Sequence, residues 1–500
     1  MQKAVRFFGC VITLCLTIGL LIIMTDLTER KDSDEKYQDF FQDRDYDVLF
    51  FGSSHVINGV FPMELWNDYG IVSYNFGGHG NRIATSYWVM ENALDYVTPK
   101  IIVIDCWGLS HTTKCPGPFS QVHVSFDAFP LSLTKIKATL DLLNDSTMEE
   151  LIAKNEIATS TEPRTKIGLL WDFSAYHSRW SELNQDDFSI SSNLEKGAES
   201  RINVTRGTLN RIDPNKKQEP GYLGETYLCK MIEDCQKRGI STVLIYLPYP
   251  AYQNDQKDAN RVYAIAEKYG IPYINFLAMD DMINFQTDLY DSKSHLNPSG
   301  ARKITSYLGK YLTQLFNLPD RRTDPDYSYW AQDYLEYEAL KDKNLTDQND
   351  IINYLMLLSG DSLDTIIYIK NKEIFHSQWG IELLNNIGIS TNDLNENVDF
   401  LLYSNQERKA TALYHFAKDG KKENTSFGNA SLTRIESADD GKKAILCLTI
   451  DGWEDMHIEE NNNLGMQINV YRHGNLIDSV KFEYDVDSSS ETINTLSAIR

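Results

Sequence analysis

The sequence is short of cysteine and of positive charge, and each shortage excludes a class of function. Seven cysteines are spread over 500 residues. Cys10 and Cys15 fall in an apolar run, leaving Cys106, Cys115, Cys229, Cys235 and Cys447. That odd, widely spaced set is a poor disulfide framework and contains no C-x-x-C pair with companions to bind zinc. Cys106 and Cys115 are near enough in the chain to pair, but the set reads as free thiols. Lys and Arg number 48 against 71 Asp and Glu, a net charge of −23. Nucleic acid is thereby excluded as a partner, because binding phosphates needs a basic surface. Neither a Gly-rich phosphate loop nor a His/Asp metal cluster stands out, so no cofactor and no metal is expected. Internal repeats and low-complexity tracts are missing too.

What is present is a globular chain with one long apolar run. The hydrophobic fraction of 42% and aromatic fraction of 11% exclude wholesale disorder, and the length suggests two or three domains. Residues 1–24 carry Lys3 and Arg6, then no charge from Phe7 to Met24. As a helix that run is about as long as a hydrocarbon core is thick. The following "IIMTDLTERK" offers no small-x-small cleavage site, so an uncleaved anchor is expected, with the amino terminus inside and the remainder extracytoplasmic. Residues 25–45 are charged and read as a juxtamembrane stalk or helix.

Beyond residue 46, continuous apolar runs alternate with amphipathic helical patterns. "DVLFFG", "GIVSYNFG", "KIIVIDCWG", "STVLIYLPYP" and "PYINF" read as strands of a parallel sheet covered on both faces, an α/β three-layer domain over 46–318. An insertion at about 110–220 has helical stretches and an aromatic, polar segment, "FSAYHSRWSELNQDDFS". It either caps the site or only packs as a helical layer. Residues 319–342 read as a linker, and 343–500 as a smaller α+β domain.

The chemistry concentrates at strand ends. Gly52-Ser53-Ser54-His55 follows the first strand, where a serine meets the unpaired N–H groups of a helix start. Capping explains such a serine more often than catalysis does. After the second strand comes "YNFGGHGN" (74–81), and before the final helix "DLYDSKSHLNPSG" (288–300) supplies carboxylates and a histidine. In a parallel sheet these loops share the carboxyl edge, and together they hold the parts of a Ser-His-Asp triad.

Gly52-Ser53-Ser54 resembles the first block of the SGNH (GDSL-like) hydrolases, with Ser53 in place of the usual Asp and Ser54 as nucleophile. "NFGGHG" is similar to the second block, with Gly80 at the oxyanion position beside the Ser54 N–H, and "DSKSHLNPSGA" to the last, with His295 as base. The resemblance spans 46–316 and implies a flavodoxin-like fold. Two departures stand out. The third block, Gly-x-Asn-Asp, is replaced by "CWGLS", which removes an oxyanion donor. The family's Asp lies three residues before its His, whereas Asp291 lies four before and Asp288 seven; Asp291 is chosen, with Asp288 in reserve. Similar departures occur in envelope-associated relatives that transfer acyl groups to surface polysaccharides and teichoic acids.

These features lead to an expectation of a membrane-anchored esterase or O-acyltransferase of the cell envelope. Its acceptor would be a glycan or teichoic-acid-type polymer, and a membrane-bound acyltransferase its partner. The alternative is a catalytically weak scaffold that binds glycan or such a partner. For substrate contacts the candidates are His55, Asn75, Arg82, Tyr176, Arg179 and Trp180, with His79 and His177 nearby. Each has a bland counterpart: solvated histidines, a surface ion pair for Arg82, ordinary packing for "YHSRW". Asp105 reads as a turn cap. The segment "LGMQINVYRHGNLIDSVKFEYD" weakly resembles the interleukin-like EMT inducer and related sugar-binding stem domains.

Overall fold

Strands that are apolar on both faces need helices on both sides, and the sequence supplies them in alternation. The structure, a computed structural model, describes the chain apart from residues 1, 30, 43–44, 112–118, 155–161, 189–192, 371–377, 390–397, 405–408, 415–421, 426–427, 437–443, 451–452, 460–463 and 485–495. It divides into two compact units. One comprises 1–199, 209–280 and 305–334, the other 200–208, 281–304 and 335–500.

The first unit opens with α1 (Gln2–Thr28) and α2 (Lys31–Gln42), followed by β1 (Val48–Gly52), α3 (Ser54–Gly59), α4 (Pro62–Tyr69), β2 (Ser73–Gly77), α5 (Ile83–Ala93) and β3 (Ile101–Asp105). The insertion contributes α6 (Phe119–Phe126), α7 (Leu133–Leu142), α8 (Asp145–Ala153), α9 (Glu162–Leu170) and α10 (Asp172–Tyr176). Then come α11 (Leu223–Arg238), β4 (Ser241–Tyr246), α12 (Gln253–Tyr269), β5 (Tyr273–Asn275) and the later turns of α13 (Pro298–Phe316). The strands form a parallel sheet in the order β2-β1-β3-β4-β5. Every residue of β1, β2 and β3 is buried, as a sheet covered on both faces requires. The order reverses between β1 and β3, the position where a crevice opens outside the carboxyl ends of such a sheet.

Helix α1 is long and apolar enough to cross a membrane over Arg6–Thr28, with mean hydropathy 2.6 and none of its most apolar 18 residues buried in protein. A signal sequence meets the same test. Of the two readings of the segment after α1, stalk or helix, a packed helix is the one present. Residues 31–42 form α2, whose Tyr37 and Phe40 are fully buried. Their rings lie 5.4 and 4.7 Å from that of Phe76 on β2, which also stacks on Phe51 of β1 at 5.0 Å. Charge dominates this segment's composition, but two aromatics three residues apart give it a buried face.

The second unit contains α14 (Ser328–Thr346) from residue 335 onward, α15 (Ile351–Leu358), β6 (Asp364–Ile369) and α16 (Gln378–Asn386). Its remaining strands are β7 (Val398–Ser404), β8 (Lys409–Tyr414), β9 (Lys422–Thr425), β10 (Gly428–Glu436), β11 (Ala444–Ile450), β12 (Trp453–Glu459), β13 (Leu464–Arg472), β14 (Asn475–Tyr484) and β15 (Leu496–Ile499). They make a six-stranded sheet, β15-β14-β13-β6-β7-β8, and a four-stranded sheet, β12-β11-β10-β9. His473 and Gly474 join β13 to β14 with φ of 51° and 78°, the paired left-handed conformations of a tight hairpin. The expected linker at 319–342 is instead largely helical, and in the first unit Trp330 is fully buried, 5.6 Å from the ring of Trp66. The prolines and charges of "NLPDRRTDPDYS" conceal that anchor.

Phe76 joins α2, β1 and β2. Replacing it with Ala is expected to lower stability by roughly 3–5 kcal/mol and to release α2 first. Amide hydrogen exchange should show faster exchange in α2 than in β3.

Candidate active site

The two serines after β1 have different environments. Ser53 is buried and caps α3: its Oγ accepts from the His55 N–H at 3.2 Å and donates to Asp105 Oδ2 at 3.3 Å. Ser54, the first residue of α3, is half-exposed. Gly52 permits this arrangement, because a Cβ there would stand 2.6 Å from Val56 Cγ2 and 2.7 Å from Asp105 Cβ. Asp105 is 2% exposed at the end of β3. Burial pushes its carboxyl up to about 7, against hydrogen bonds from backbone groups and the Ser53 hydroxyl. It is more than a turn cap, since it is a buried acid beneath the serine turn. The lone carboxylate ending "IIVID" was the available signal.

The second loop is tied to the first by the Gly78 N–H, which donates to Gly52 O at 3.0 Å. Gly80 follows with φ 67°, and the Asn81 N–H donates to Gly78 O at 3.0 Å. Asn81 is buried, and its Oδ1 accepts from Ser125 Oγ of α6 at 3.1 Å. Its Nδ2 has no hydrogen-bond partner among the described residues and packs on Gly78, where a Cβ would fall within 1.9 Å. Beside this loop a cleft of about 370 Å³ is lined by Lys36, Ile57, His79, Gln121, Asn193 and Glu199, among others. His79 Nε2 lies 2.8 Å from Glu199 Oε2, and Lys36 Nζ donates to Gly77 O. Burial pulls the Lys36 ammonium down to about 7, while Glu199 acts in the opposite direction.

Asn75 is not a substrate contact. It is fully buried in β2, its Nδ2 donating to Val56 O and Val60 O at 2.8 Å each and its Oδ1 accepting from the Gly77 N–H at 2.9 Å. A side chain with these partners fixes α3 to the sheet.

His55 and Arg82 meet two residues that sequence reasoning did not single out. The His55 ring stacks on Tyr249 at 4.3 Å and lies edge-on to Trp107 at 5.2 Å. Trp107 Nε1 donates to Tyr249 Oη at 3.0 Å, and the Arg82 guanidinium stands 5.5 Å from the Trp107 ring centre. Trp107 comes from "CWG" after β3 and Tyr249 from "PYP" after β4, so an aromatic directly after a buried strand was the usable signal. Next to them, His111, Asp255 and Asp258 offer ligand atoms within 4.8 Å of one another. Their separation in the chain hid this trio. A direct His111–Asp255 contact of 2.9 Å and bonds from Ser110 to Asp258 account for the grouping, and the hydrogen bond to Asp255 raises the His111 pKa.

In the second unit, His295 Nδ1 lies 2.5 Å from Asp291 Oδ2. Asp291 Oδ1 accepts from the Lys293 and Ser294 N–H groups at 2.9 and 2.6 Å. Desolvation acts to raise the Asp291 pKa, but those bonds outweigh it and hold the carboxyl below its ordinary value. Asp288 is fully buried and bonded to Lys303 at 2.6 Å, Ser299 at 2.8 Å and Asn386 at 3.1 Å. Its surroundings make it a structural carboxylate.

The insertion residues also have other partners. Tyr176 Oη donates to Asp127 Oδ2 at 2.6 Å. Arg179 Nη1 donates to Thr28 O at 2.9 Å and to Glu29 O at 2.5 Å, and its Nη2 to Asp187 at 2.7 Å. Trp180 is 66% exposed. The two Arg179 bonds tie this segment to the end of α1, while Gln121 and Asn193 of the same insertion reach the cleft. The Cys106–Cys115 pairing lies outside the described residues; Cys106 itself is buried, and burial raises its thiol pKa well above the usual value.

No family model and no curated protein matches the chain. Among solved structures it is similar to a protein assigned to the lipolytic G-D-S-L family from Desulfitobacterium hafniense. That likeness has 13% identity and a TM-score of 0.26, covering 53% of this chain and 97% of that one. It is also similar to a protein assigned as an acylhydrolase from Bacteroides fragilis, at 10% identity and a TM-score of 0.28, covering 56% and 94%. Likenesses this slight decide neither family nor activity, and nothing in them supports the resemblance noted for the carboxyl-terminal strands.

Two outcomes are expected. Asn75→Ala should lower stability by about 2–3 kcal/mol by leaving buried groups unpaired. An ordinary unfolded aspartate loses its proton near pH 4, before folded Asp105 does, so ionisation weighs on the folded state. The Asp105 contribution to stability therefore falls as pH rises from about 4 to about 7. Thermal melts across that window should show a downward slope that Asp105→Asn flattens.

Proposed function

We propose that this protein is a membrane-anchored serine esterase or O-acyltransferase, acting on acyl esters of a hydroxyl-rich envelope polymer of the glycan or teichoic-acid kind. The observation that carries the reading is the division of labour after β1: Ser53 is consumed in capping, and Ser54 remains half-exposed where the strand order reverses. The His295–Asp291 pair supports it.

In this mechanism Asp291 holds His295 through Nδ1, and Nε2 exchanges protons with Ser54. As His295 takes the proton, Ser54 Oγ attacks the ester carbonyl. The tetrahedral oxyanion is held by the Ser54 and Gly80 N–H groups, with Asn81 Nδ2 replacing the donor lost with the third block. His295 returns the proton to the departing alcohol, leaving an acyl-Ser54 ester. Water or an acceptor hydroxyl, deprotonated by His295, then attacks this ester and takes the acyl group. The polar cleft at Lys36, His79 and Glu199 suits the acceptor, and His55, Arg82 and Trp107 suit the acyl side. Retention of α1 as an anchor is supported by Arg179, which bonds to the carbonyls at its end.

A fluorophosphonate probe tests the assignment. The wild type should be labelled, Ser54→Ala should not, and His295→Ala should label at least about 10³-fold more slowly. Asn81→Ala should cost roughly 10²-fold in ester turnover of the folded protein. A folded wild-type protein that neither labels nor turns over esters would establish the scaffold reading instead.

A further inference from the structure

We propose that the outer face of the insertion lies in the surface of the lipid bilayer, with Trp171, Trp180, Phe188, Leu131 and Leu133 in contact with lipid. The inference rests on α1 being retained in the membrane and adds a second, peripheral contact to it.

Exposed apolar side chains are common singly on soluble proteins, but contiguous ones beside a spanning helix are not. Outside α1, each described Trp or Phe that is largely exposed falls in one stretch of the insertion: Trp171 at 45%, Trp180 at 66% and Phe188 at 68%. Leu131, Leu133, Leu140 and Ile167 of the neighbouring helices and turns are exposed as well. The same stretch is where α1 touches the folded protein. Its lower end packs on α10 and on the short 3-10 turns at His177–Ser181 and Gln185–Phe188, and Thr28 is fully buried there.

Arg179 explains why this contact is fixed. The last carbonyls of a helix have no partner within it, and the Arg179 guanidinium takes those of Thr28 and Glu29 while pairing with Asp187. Trp171 is thereby held against the last turns of α1. With Ile18, Leu21, Ile22 and Thr25 it lines an apolar cleft of about 460 Å³. These α1 residues belong to the half of the span nearest the folded protein, so the cleft opens at the depth of acyl chains and headgroups. Tryptophan favours that boundary, with its ring in the apolar layer and its N–H at the polar one. Lipid is the occupant indicated, because Trp171 of the insertion and the apolar residues of the span line the same cleft.

The test uses the full chain in phosphatidylcholine/phosphatidylglycerol vesicles whose acyl chains carry bromine, which quenches tryptophan at contact. The wild type should lose part of its emission. A Trp171→Phe/Trp180→Phe variant should lose less than half that amplitude, with an unchanged melting temperature; Trp180→Phe alone should fall between. Equal quenching in all three, with α1 still resisting carbonate extraction, would overturn the docking surface while leaving the anchor intact, and would point to a protein partner at this face. A mature protein that is soluble and begins near residue 25 would overturn the anchor and this proposal with it.

Discussion

The carboxyl edge of the parallel sheet depends on one close approach, the contact between the backbone at Gly52 and the side chain of Asp105. β1 and β3 are neighbours, so whatever ends β1 faces whatever ends β3. A methyl group at residue 52 would push Asp105 and Val56 away. Without it, Asp105 comes within hydrogen-bond reach of Ser53, Ser53 caps α3, and the next serine is left partly open to solvent. The Gly78 N–H to Gly52 O bond then brings the second loop to the same point. One missing side chain thus couples three strand ends.

Burial makes that coupling sensitive to proton exchange. Asp105 is removed from water with mainly hydrogen bonds to favour its charged form, and Lys36 is depressed to about 7 on the other side of the second loop. Both groups are poised near neutrality by desolvation, an arrangement more frequent at functional sites than elsewhere, although structural networks also produce it. The edge of the sheet is therefore electrostatically unlike its amino-terminal end, where Lys100 and Arg321 pair with Asp47.

The strands of the sheet were legible because period and burial agree: "VLFFG" and "IIVI" are apolar at every position and buried at every position. The turns around Ser54, His295 and Gly80 were legible from their residue types. Two kinds of feature escaped. Charged segments with a hidden aromatic face, α2 and the approach to α14, were read as a stalk or helix and as a linker, with no sign of packing, because composition averages over the two residues that matter, Tyr37 and Phe40 in one, Trp330 and Tyr327 in the other. Clusters assembled from distant strand ends, such as His55 with Trp107 and Tyr249, have no local spacing to betray them. Asn75 misled for the opposite reason, since a polar residue beside a glycine turn looks functional until its amide is seen spanning three backbone groups.

The junction between α1 and α2 has a mechanical consequence. Only Glu29 and Arg30 separate the two helices, and α2 is packed through Tyr37 and Phe40 onto the β2 face of the sheet. With α1 in a bilayer, the serine turn is mounted at a set height rather than on a leash. A flexible tether would let the site sweep a hemisphere whose radius grows with linker length, diluting its effective concentration over that volume. A rigid mount confines it to a thin shell above the lipid. On the proposed esterase reading, chain segments of a long polymer farther out are reached only when they bend back toward the membrane.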